Sequence, residues 1–286
     1  RMTTALLQIS DPHFGTDQPA VVAALVELSA RLAPTLVVMS GDVTQRATRD
    51  EFESARAFVR RLAAPATLVL PGNHDIPLLN LTLRVVAPFS RFHAAFGADS
   101  EPIHDDEALC VIGVNTVIPR WHKDGAVTSA QVARVAARLR QAKDAQLRVV
   151  VCHHPVLVIR PEDDDNLLQG GEAAVRAWSE AGADLILGGH IHLPYVRPLK
   201  ERYPDLARDV WAVQAGTSVS SRIRAGNPNS VNLIRPIRIG HEPGCVVERW
   251  DFVAASASFE IVTADRLTLD RRARGARLTG PAGVAP

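Results

Sequence analysis

Short polar clusters rich in aspartate and histidine recur along this chain, and their residue types suit metal coordination. In order, the clusters are Asp11-Pro12-His13, Gly41-Asp42, Gly72-Asn73-His74-Asp75, His153-His154-Pro155 and Gly189-His190-Ile191-His192. Carboxylate, amide and neutral imidazole groups suit manganese, iron or zinc better than Cu⁺ or Ca²⁺. The clusters therefore predict a metal site, provided that the fold brings them together.

Candidate ligands in these clusters are the seven side chains of Asp11, His13, Asp42, Asn73, His153, His190 and His192. Seven ligands are too many for one tetrahedral zinc ion, but they suit two ions roughly 3.5 to 4 Å apart that share one carboxylate and one water-derived oxygen. The positive charge of two divalent ions is larger than the negative charge of two aspartates and one hydroxide, so the centre keeps a net charge of about one positive unit. Such a centre attracts an anionic phosphate.

Further residues in or near the clusters are candidates for proton transfer or substrate contact. His74 follows the candidate ligand Asn73 but lies outside the ligand set, so we expect it to protonate a leaving oxygen or to stabilise charge on the phosphorus centre. Asp75 is predicted to fix the tautomer of His74. Asn73, His74, Arg46 and His154 are the predicted substrate contacts, and for His154 a structural position facing the core is the alternative.

Each cluster comes directly after a short apolar run with the length and β-branched content of a buried strand. The runs are residues 5–9, 35–39, 67–70, 147–152 and 184–187, and helical patterns lie between them at 19–32, 49–62 and 129–141. Strands that alternate with helices predict a parallel sheet, and ligands bind at the carboxyl edge of such sheets. Five clusters that are distant in sequence should therefore meet at one edge.

The pattern changes after about residue 204, where β-rich segments without long helical periods begin. These segments are residues 210–215, 230–234, 245–254 and 258–262, and we expect them to form a second sheet packed on the first. Residues 271–286 are rich in Arg, Gly, Ala and Pro, and they are predicted to be a flexible tail. Residues 1–270 are then a single domain.

Two charged segments outside the clusters leave alternatives open. The acidic run 163–165 is typical of a solvated loop, and its position after the His153 cluster also suits a mobile rim over the site. Four arginines surround an Asn-Pro-Asn turn: Arg222, Arg224, Arg235 and Arg238. Such arginines either keep a β-edge soluble or hold a phosphate or nucleotide.

The bulk composition disfavours several classes of protein. The chain has 32 Lys and Arg against 31 Asp and Glu, so it lacks the broad basic field that holds a large nucleic acid.

The cysteines Cys110, Cys152 and Cys245 are odd in number and far apart, which disfavours a disulfide framework and fits a reducing compartment. No apolar run approaches the roughly 18 to 20 residues that span a bilayer, and no secretion signal is visible. We therefore expect a cytoplasmic protein without a membrane span.

The clusters together resemble the calcineurin-like metallophosphoesterase superfamily, whose motifs run D-x-H, G-D, G-N-H-[DE], H and G-H-x-H. This chain has all of them in that order, over about residues 6–193 and without a missing ligand. Within the superfamily the motifs look most like those of bacterial cyclic-nucleotide and glycerophosphodiester phosphodiesterases. That branch often continues His-His-Pro-Pro, whereas here Val156 follows Pro155.

The resemblance implies a fold and an assignment of ligands. The fold is an α/β protein with a four-layer α/β/β/α sandwich, in which the β-rich C-terminal part completes the second sheet. Asp11, His13 and His192 would hold one ion, and Asn73, His153 and His190 would hold the other. Asp42 would bridge the two ions, and His74 would act as the acid or stabilise the phosphate.

The activity that the resemblance implies is hydrolysis of a phosphodiester by two divalent or trivalent ions of manganese, iron or zinc. A small substrate such as a 3′,5′-cyclic nucleotide is the first candidate. A phosphomonoester, a glycerophosphodiester or the pyrophosphate of a nucleotide-linked lipid precursor is the alternative, with the same centre. A catalytically silent interaction module should lack ligands or His74, and this chain lacks none of them. Pairing of two subunits through the β-rich edge is left open.

Overall fold

The computed structural model describes residues 4–271 except 79, 122 and 225, and these residues form alternating strands and helices. The elements of the first half are β1 (Leu6–Ile9), α1 (Pro19–Leu32), β2 (Leu36–Ser40), α2 (Arg49–Arg61), β3 (Ala66–Leu70), α3 (Leu81–Val86), α4 (Ser90–Phe96), β4 (Ile103–Asp105), β5 (Leu109–Gly113) and α5 (Ser129–Gln141). Those of the second half are β6 (Leu147–Val151), α6 (Gly171–Ala181), β7 (Leu185–Gly188), β8 (Tyr195–Pro198), β9 (Trp211–Gln214), β10 (Ser230–Ile239), β11 (Glu242–Val253) and β12 (Ser258–Thr268).

The strands pair into two six-stranded sheets. The first sheet has the order β12-β11-β10-β1-β2-β3, and the second has the order β4-β5-β6-β7-β9-β8. β1, β2 and β3 are parallel, and β10 joins β1 in the antiparallel direction with Leu6 opposite Ile234. In the second sheet β5, β6, β7 and β9 are parallel, and the antiparallel strands β4 and β8 lie at its two edges.

Apolar side chains on both faces of the strands explain why the sheets stack. A buried cluster between the sheets contains Leu36 and Ile234 from the first sheet and Val149 and Leu187 from the second. α1 and α2 cover the outer face of the first sheet, and α5 and α6 cover that of the second, with Trp178 in the core. The result is a four-layer α/β/β/α sandwich, which confirms the predicted fold class.

The helices begin where local signals predict. Pro19 occupies the first turn of α1, where a missing N–H is tolerated. Thr48 and Thr128 cap α2 and α5, each in a capping box with the residue three positions later, Glu51 and Gln131. The bounds of α1 and α5 agree with the prediction, and α2 ends one residue earlier than predicted.

Two features of the predicted arrangement were wrong. The five predicted strands do not share one sheet, because β1 to β3 belong to the first and β6 and β7 to the second. Of the four C-terminal segments, only residues 210–215 contribute a strand, β9, to the second sheet. The other three extend the first sheet through the pairing of β10 with β1. An apolar run shows that a strand is buried, but its neighbours are set by tertiary packing.

The predicted tail begins at a residue that is firmly held. The guanidinium of Arg271 donates to both carboxylate oxygens of Asp184 at 3.0 Å and to the carbonyl of Gln146 at 2.9 Å. Residues 272–286, the rest of that predicted tail, lie outside the described residues. Within the described part of the chain, no helix combines the length and the apolar character that crossing a bilayer requires.

Candidate metal centre

Loops from both sheets meet at the carboxyl ends of β1, β2, β3, β6 and β7, and the five polar clusters lie on these loops. Backbone hydrogen bonds join the loops in pairs. Asp11 N–H donates to Gly41 at 3.1 Å and His13 N–H donates to Asp42 at 3.0 Å. In the second sheet Gly189 N–H donates to the carbonyl of His153 at 2.9 Å. The backbone therefore fixes the relative positions of the clusters.

Two buried carboxylates lie at the centre of the converging side chains. Asp42 Oδ1 is 3.3 Å from His153 Nε2, and Asp42 Oδ2 is 3.6 Å from His13 Nε2. Asp11 Oδ1 is 3.3 Å from His192 Nε2. His13 Nε2 and His192 Nε2 are 3.1 Å apart, so the two carboxylates and their imidazoles form one continuous cluster.

Three groups of these side chains have ligand atoms close enough together to hold a metal ion. They are Asp11, His13 and His192; His13, Asp42 and His74; and Asp42, His153 and His190, each with its ligand atoms within 4.8 Å of one another. Asn73 is buried beside the last group, with Oδ1 3.3 Å from His153 Nε2. The structure thus brings all seven predicted ligands together.

Backbone carbonyls orient two of the imidazoles for coordination. His153 Nδ1–H donates to Ser40 at 2.9 Å, and His192 Nδ1–H donates to Arg222 at 2.7 Å. When the imidazole is neutral, a proton held on Nδ1 leaves the Nε2 lone pair free to coordinate an ion that the carboxylates also bind. Histidine ligands of metal ions are commonly oriented in this way.

His190 provides a test of whether a metal fits these residues. Its Nδ1 atom is buried without a hydrogen-bond partner in the described part of the chain. Buried polar atoms are rarely left unsatisfied, so this nitrogen needs an explanation. Asp42 and His153 lie next to His190, and a cation shared by the three side chains would satisfy the nitrogen. The donor set of oxygens and imidazoles fits such an ion.

The backbone at the cluster is conformationally unusual. Five of the seven predicted ligands have positive φ: Asp11 (49°), His13 (42°), Asp42 (47°), His190 (70°) and His192 (54°). Left-handed backbone is uncommon for residues other than glycine, although Asp and His tolerate it better than most. Each such residue costs on the order of 1 kcal/mol, and strain of this kind concentrates at functional sites.

Glycine is required at Gly72 because the backbone approaches Asp42 closely. A Cβ atom at position 72 would lie 2.1 Å from the Asp42 backbone nitrogen and 2.2 Å from its Oδ1. Gly189 is similarly close to Asp11, where a Cβ would lie 2.5 Å from Oδ2. The glycines beside the candidate ligands therefore let the loops approach the two carboxylates.

Electrostatic pairing across the cluster shifts the titration of its members. Burial alone would lower the pKa of His153, but the Asp42 carboxylate raises it to about 9. Burial alone would raise the pKa of Asp42, but the neighbouring His153 imidazole holds it well below its usual value. His13 is different, because burial lowers its pKa to about 3. In the absence of a metal, His153 and Asp42 thus form a buried ion pair.

His74 lies at the surface of the cluster, where it faces the solvent-accessible cavity. Its backbone N–H donates to Asp42 Oδ1 at 2.8 Å, and its ring Nδ1 is 2.9 Å from the carbonyl oxygen of Gln45. A proton on Nδ1 donates to that carbonyl, so Gln45 orients the ring. The Nε2 atom lies 3.3 Å from Arg222 Nη1, and both side chains line the cavity.

Asp75 does not fix the tautomer of His74, so that prediction is corrected. Its buried carboxylate accepts hydrogen bonds from the backbone N–H groups of Val43, Thr44 and Gly72 at 3.0, 2.8 and 2.8 Å. It also accepts from Thr44 Oγ1 at 2.7 Å. Asp75 therefore braces the loop after β2 against the turn after β3. Burial and the nearby Asp42 raise its pKa to about 6.

Neither of the other two predicted substrate contacts reaches the cavity. His154 is fully buried, with Nδ1 2.7 Å from Thr116 Oγ1 and Nε2 3.0 Å from the carbonyl of Lys123, so the structural alternative applies. Arg46 is exposed, and its side chain is not among the described residues that line the cavity. Its backbone N–H donates to Glu51 of α2, and Arg46 lies three residues before the first residue of that helix.

A cavity of about 710 Å³ opens beside the cluster. It is lined by Asp42, Asn73, His74, Lys123, Glu162, Asp163, Asn166, His190, Ile191, His192, Arg222, Ile223 and Arg224. Asp163 is buried and pairs with Arg224 at 2.8 Å, so the acidic run is not simply a solvated loop.

The sequence pattern did not distinguish the four arginines of the predicted group from one another. Arg222 and Arg224 line the cavity, whereas Arg235 pairs with Glu248 at 2.7 Å on the outer strands of the first sheet. The only signal in the sequence was their grouping around the Asn-Pro-Asn turn. Gln45 carried no signal at all.

Known proteins resemble this chain in sequence and in fold. The sequence model of the calcineurin-like phosphoesterase family matches residues 4–194. A probable cyclic nucleotide phosphodiesterase of Synechococcus sp. is 25% identical over 207 residues, which are 68% of this chain and 76% of that protein. The glycerophosphodiester phosphodiesterase GpdQ of Enterobacter lignolyticus is 29% identical over 168 residues, and the alignment covers 53% of this chain and 57% of GpdQ.

A solved structure has the same fold. A dimetal phosphatase from Danio rerio superimposes with a TM-score of 0.64 at 12% identity, over 94% of this chain and all of that protein. At this identity the likeness concerns the fold alone.

Replacement of Asp75 tests its role as a brace. Asp75→Asn is expected to lower the free energy of unfolding by about 2 to 4 kcal/mol, because an amide leaves buried backbone donors unsatisfied. Urea denaturation measures the change, and the exposed Asp165→Asn serves as the matched control. An Asp75→Asn protein as stable as the control would contradict the bracing role.

Metal binding should be linked to pH through His153. The pKa of about 9 keeps this imidazole protonated at pH 7, and a metal ligand must be neutral, so binding of Mn²⁺ should release a proton. The apparent affinity should rise by about tenfold per pH unit between pH 7 and 9 and level off above pH 9. Isothermal titration calorimetry in buffers of different ionisation enthalpy measures the released protons. An affinity that does not change over this range would refute the linkage.

Proposed function

Because this chain belongs to the calcineurin-like phosphoesterase family and is a metal-dependent phosphoesterase, we propose that it hydrolyses phosphodiesters by means of two metal ions. We further propose that the substrate is a small molecule, with a 3′,5′-cyclic nucleotide as the first candidate. The Synechococcus relative, named a probable cyclic nucleotide phosphodiesterase, supports this choice.

The observation that carries the proposal is the convergence of seven ligand-competent side chains, Asp42 and Asp11 among them, beside an open cavity. A structural cluster of this size would need its polar atoms satisfied internally, yet His190 Nδ1 is buried without a partner in the described residues. The cavity of about 710 Å³ is within the range that takes up a small molecule.

The proposed roles follow the two ligand groups. Asp11, His13 and His192 would hold one ion; Asn73, His153 and His190 would hold the other; and Asp42 would bridge them. When bound, two such ions supply positive charge for the phosphate oxygens and make water acidic enough to become a nucleophile. The ligand set, which contains no thiolate, favours manganese, iron or zinc.

His74 is the proposed proton donor to the leaving oxygen. Its Nδ1–H bond to the Gln45 carbonyl fixes the ring, and the side chain lines the cavity with Nε2 beside Arg222. In the proposed step His74 acts as an imidazolium: it gives the second proton, on Nε2, to the oxygen that develops negative charge as the ester bond breaks, and keeps the proton on Nδ1. Asn73 and His74 both line the cavity and are therefore retained as proposed substrate contacts.

A glycerophosphodiester is the second candidate substrate. The relative GpdQ carries that activity in its name, and it is 29% identical over the aligned region. The chain spans only 57% of GpdQ, so the match does not extend to the whole of that protein. Both candidates are small diesters and need the same ligand set.

The remaining proposals concern the protein as a whole. Residues 1–270 are proposed to be one domain of a bacterial protein of the reducing cytoplasm, for which Cys110, Cys152 and Cys245 are buried free thiols. Nucleic acid is not proposed as a partner, because the positive and negative charges nearly balance. Pairing of two subunits through the edge strand β12 is a further hypothesis, supported by the half-exposed Ile261 and Val262.

Parallel assays of the manganese-loaded protein test the activity. Cyclic AMP, glycerophosphoethanolamine, bis(p-nitrophenyl) phosphate, p-nitrophenyl phosphate and a nucleotide diphosphate-lipid mimic are the substrates. We expect the highest kcat/KM for cyclic AMP, hydrolysis of the nitrophenyl diester, and loss of both with a chelator until Mn²⁺ is restored. Turnover of the monoester alone, or turnover that survives chelation, would exclude a metal-dependent diesterase.

Replacement of His74 tests the proton donor. His74→Ala should lower kcat by the roughly 10²- to 10⁴-fold typical of a lost general acid, while the metal content stays nearly unchanged. Elemental analysis and steady-state kinetics measure the two quantities. The exposed His241→Ala is the matched control. Full activity in His74→Ala would remove His74 from the mechanism.

A further inference from the structure

The guanidinium of Arg222 reaches the edge of the candidate metal centre without taking part in the predicted ligand set. Its Nη1 atom is 3.0 Å from Gln45 Oε1, 3.3 Å from His74 Nε2 and 3.3 Å from His13 Nδ1. The side chain lines the cavity and is half-buried. Arg222 therefore contacts the atom that we propose as the proton donor and also faces the space proposed for substrate.

The loop that carries Arg222 is tied to the loop that carries Asp11. Thr217 Oγ1 donates to the carbonyl of Asp11 at 2.6 Å, and Ser218 N–H donates to Ser10 at 2.9 Å. The Arg222 backbone carbonyl in turn accepts the proton of His192 Nδ1 at 2.7 Å. The position of the guanidinium is thus built into the site and does not depend on a free surface side chain.

Charge distinguishes Arg222 from its neighbour Arg224. Arg224 is neutralised by Asp163 at 2.8 Å and donates to the carbonyl of Ile191 at 3.0 Å. The contacts of Arg222 are a glutamine oxygen and two imidazole nitrogens, and within the described residues no carboxylate forms an ion pair with it. A half-buried guanidinium that faces a cavity without a carboxylate partner in the described residues favours an anion there.

Hydrogen-bond direction adds a second argument. A guanidinium can only donate, so the lone pairs of His74 Nε2 and His13 Nδ1 must accept in the arrangement described. A phosphate oxygen can only accept, so it matches in direction a guanidinium that lines the cavity.

We propose that Arg222 binds a non-bridging oxygen of the substrate phosphate from its position beside Gln45 and His74. The inference rests on the proposed function, since it assumes that the cavity receives a phosphate ester. It assigns the recognition of the phosphate group to this residue. Lys123 also lines the cavity, and in the described residues no carboxylate forms an ion pair with it.

Binding of inorganic phosphate to the manganese-loaded protein tests the inference. Arg222→Gln keeps a donor at the position but removes the charge, and we expect phosphate to bind about 10- to 100-fold more weakly, as for the loss of a charge-assisted hydrogen bond. Isothermal titration calorimetry measures the affinity. Arg60→Gln, an exposed arginine of α2, is the matched control and should bind phosphate as the wild type does.

Two further measurements separate phosphate binding from a structural role. Metal content and the midpoint of thermal unfolding should match those of the wild type in Arg222→Gln, and KM should rise more than kcat falls. The loss of phosphate affinity should also persist in a His74→Ala background, because the contact proposed is with phosphate. If Arg222→Gln no longer weakens phosphate binding in protein that already carries His74→Ala, Arg222 acts only by positioning His74. That result would overturn the inference.

The outcomes also distinguish this inference from the proposed function. Phosphate affinity equal in Arg222→Gln and wild type would overturn the role of Arg222, even if the wild type hydrolyses diesters. A wild type that binds phosphate through Arg222 but hydrolyses none of the substrates above would retain the inference and exclude the proposed activity.

Discussion

The buried contact between Asp42 and His153 joins the two sheets of this protein at the point where its chemistry is proposed. Asp42 follows β2 in the first sheet, His153 follows β6 in the second, and their side chains approach to 3.3 Å. Opposite charges at this distance in a buried site interact strongly, which is why the pKa of His153 is raised and that of Asp42 is lowered. The positions of the remaining candidate ligands depend on this junction, because each lies on a loop that packs against one of the two residues.

Without a bound cation, several features of the same junction are energetically unfavourable. Five candidate ligands have left-handed backbone, His190 Nδ1 lacks a partner in the described residues, and charged groups are removed from water. Bound ions would favour the folded chain through mass action, since an unfolded chain cannot present the assembled ligand set. Asp75 offsets part of this free-energy cost, because its carboxylate accepts from three backbone N–H groups, two in the loop after β2 and one in the turn after β3. The packed layers between and outside the sheets supply the rest.

The cavity beside the junction is also formed by both sheets. His74 and Asn73 come from the loop after β3 in the first sheet, whereas the loop that carries Arg222 follows β9 in the second. Neither half contains a complete site, so the proton donor, the candidate ligands and the arginine are positioned only when the sheets are stacked. A division of this kind explains how a rigid apolar core can hold reactive groups at short and defined distances.

The sequence by itself determined the residue types of the candidate centre and the strands and helices that carry them. The five polar clusters, the apolar run before each and the helix caps at Thr48 and Thr128 all depend on local chemistry, which is readable along the chain. Only the tertiary structure decided which strands pair, that Asp75 braces a loop, that His154 is buried and that Arg222 reaches His74. Those outcomes depend on contacts between segments far apart in sequence, as with the 148 positions from His74 to Arg222. Periodicity and spacing describe a residue's own element, and they contain no information about the segment packed against it.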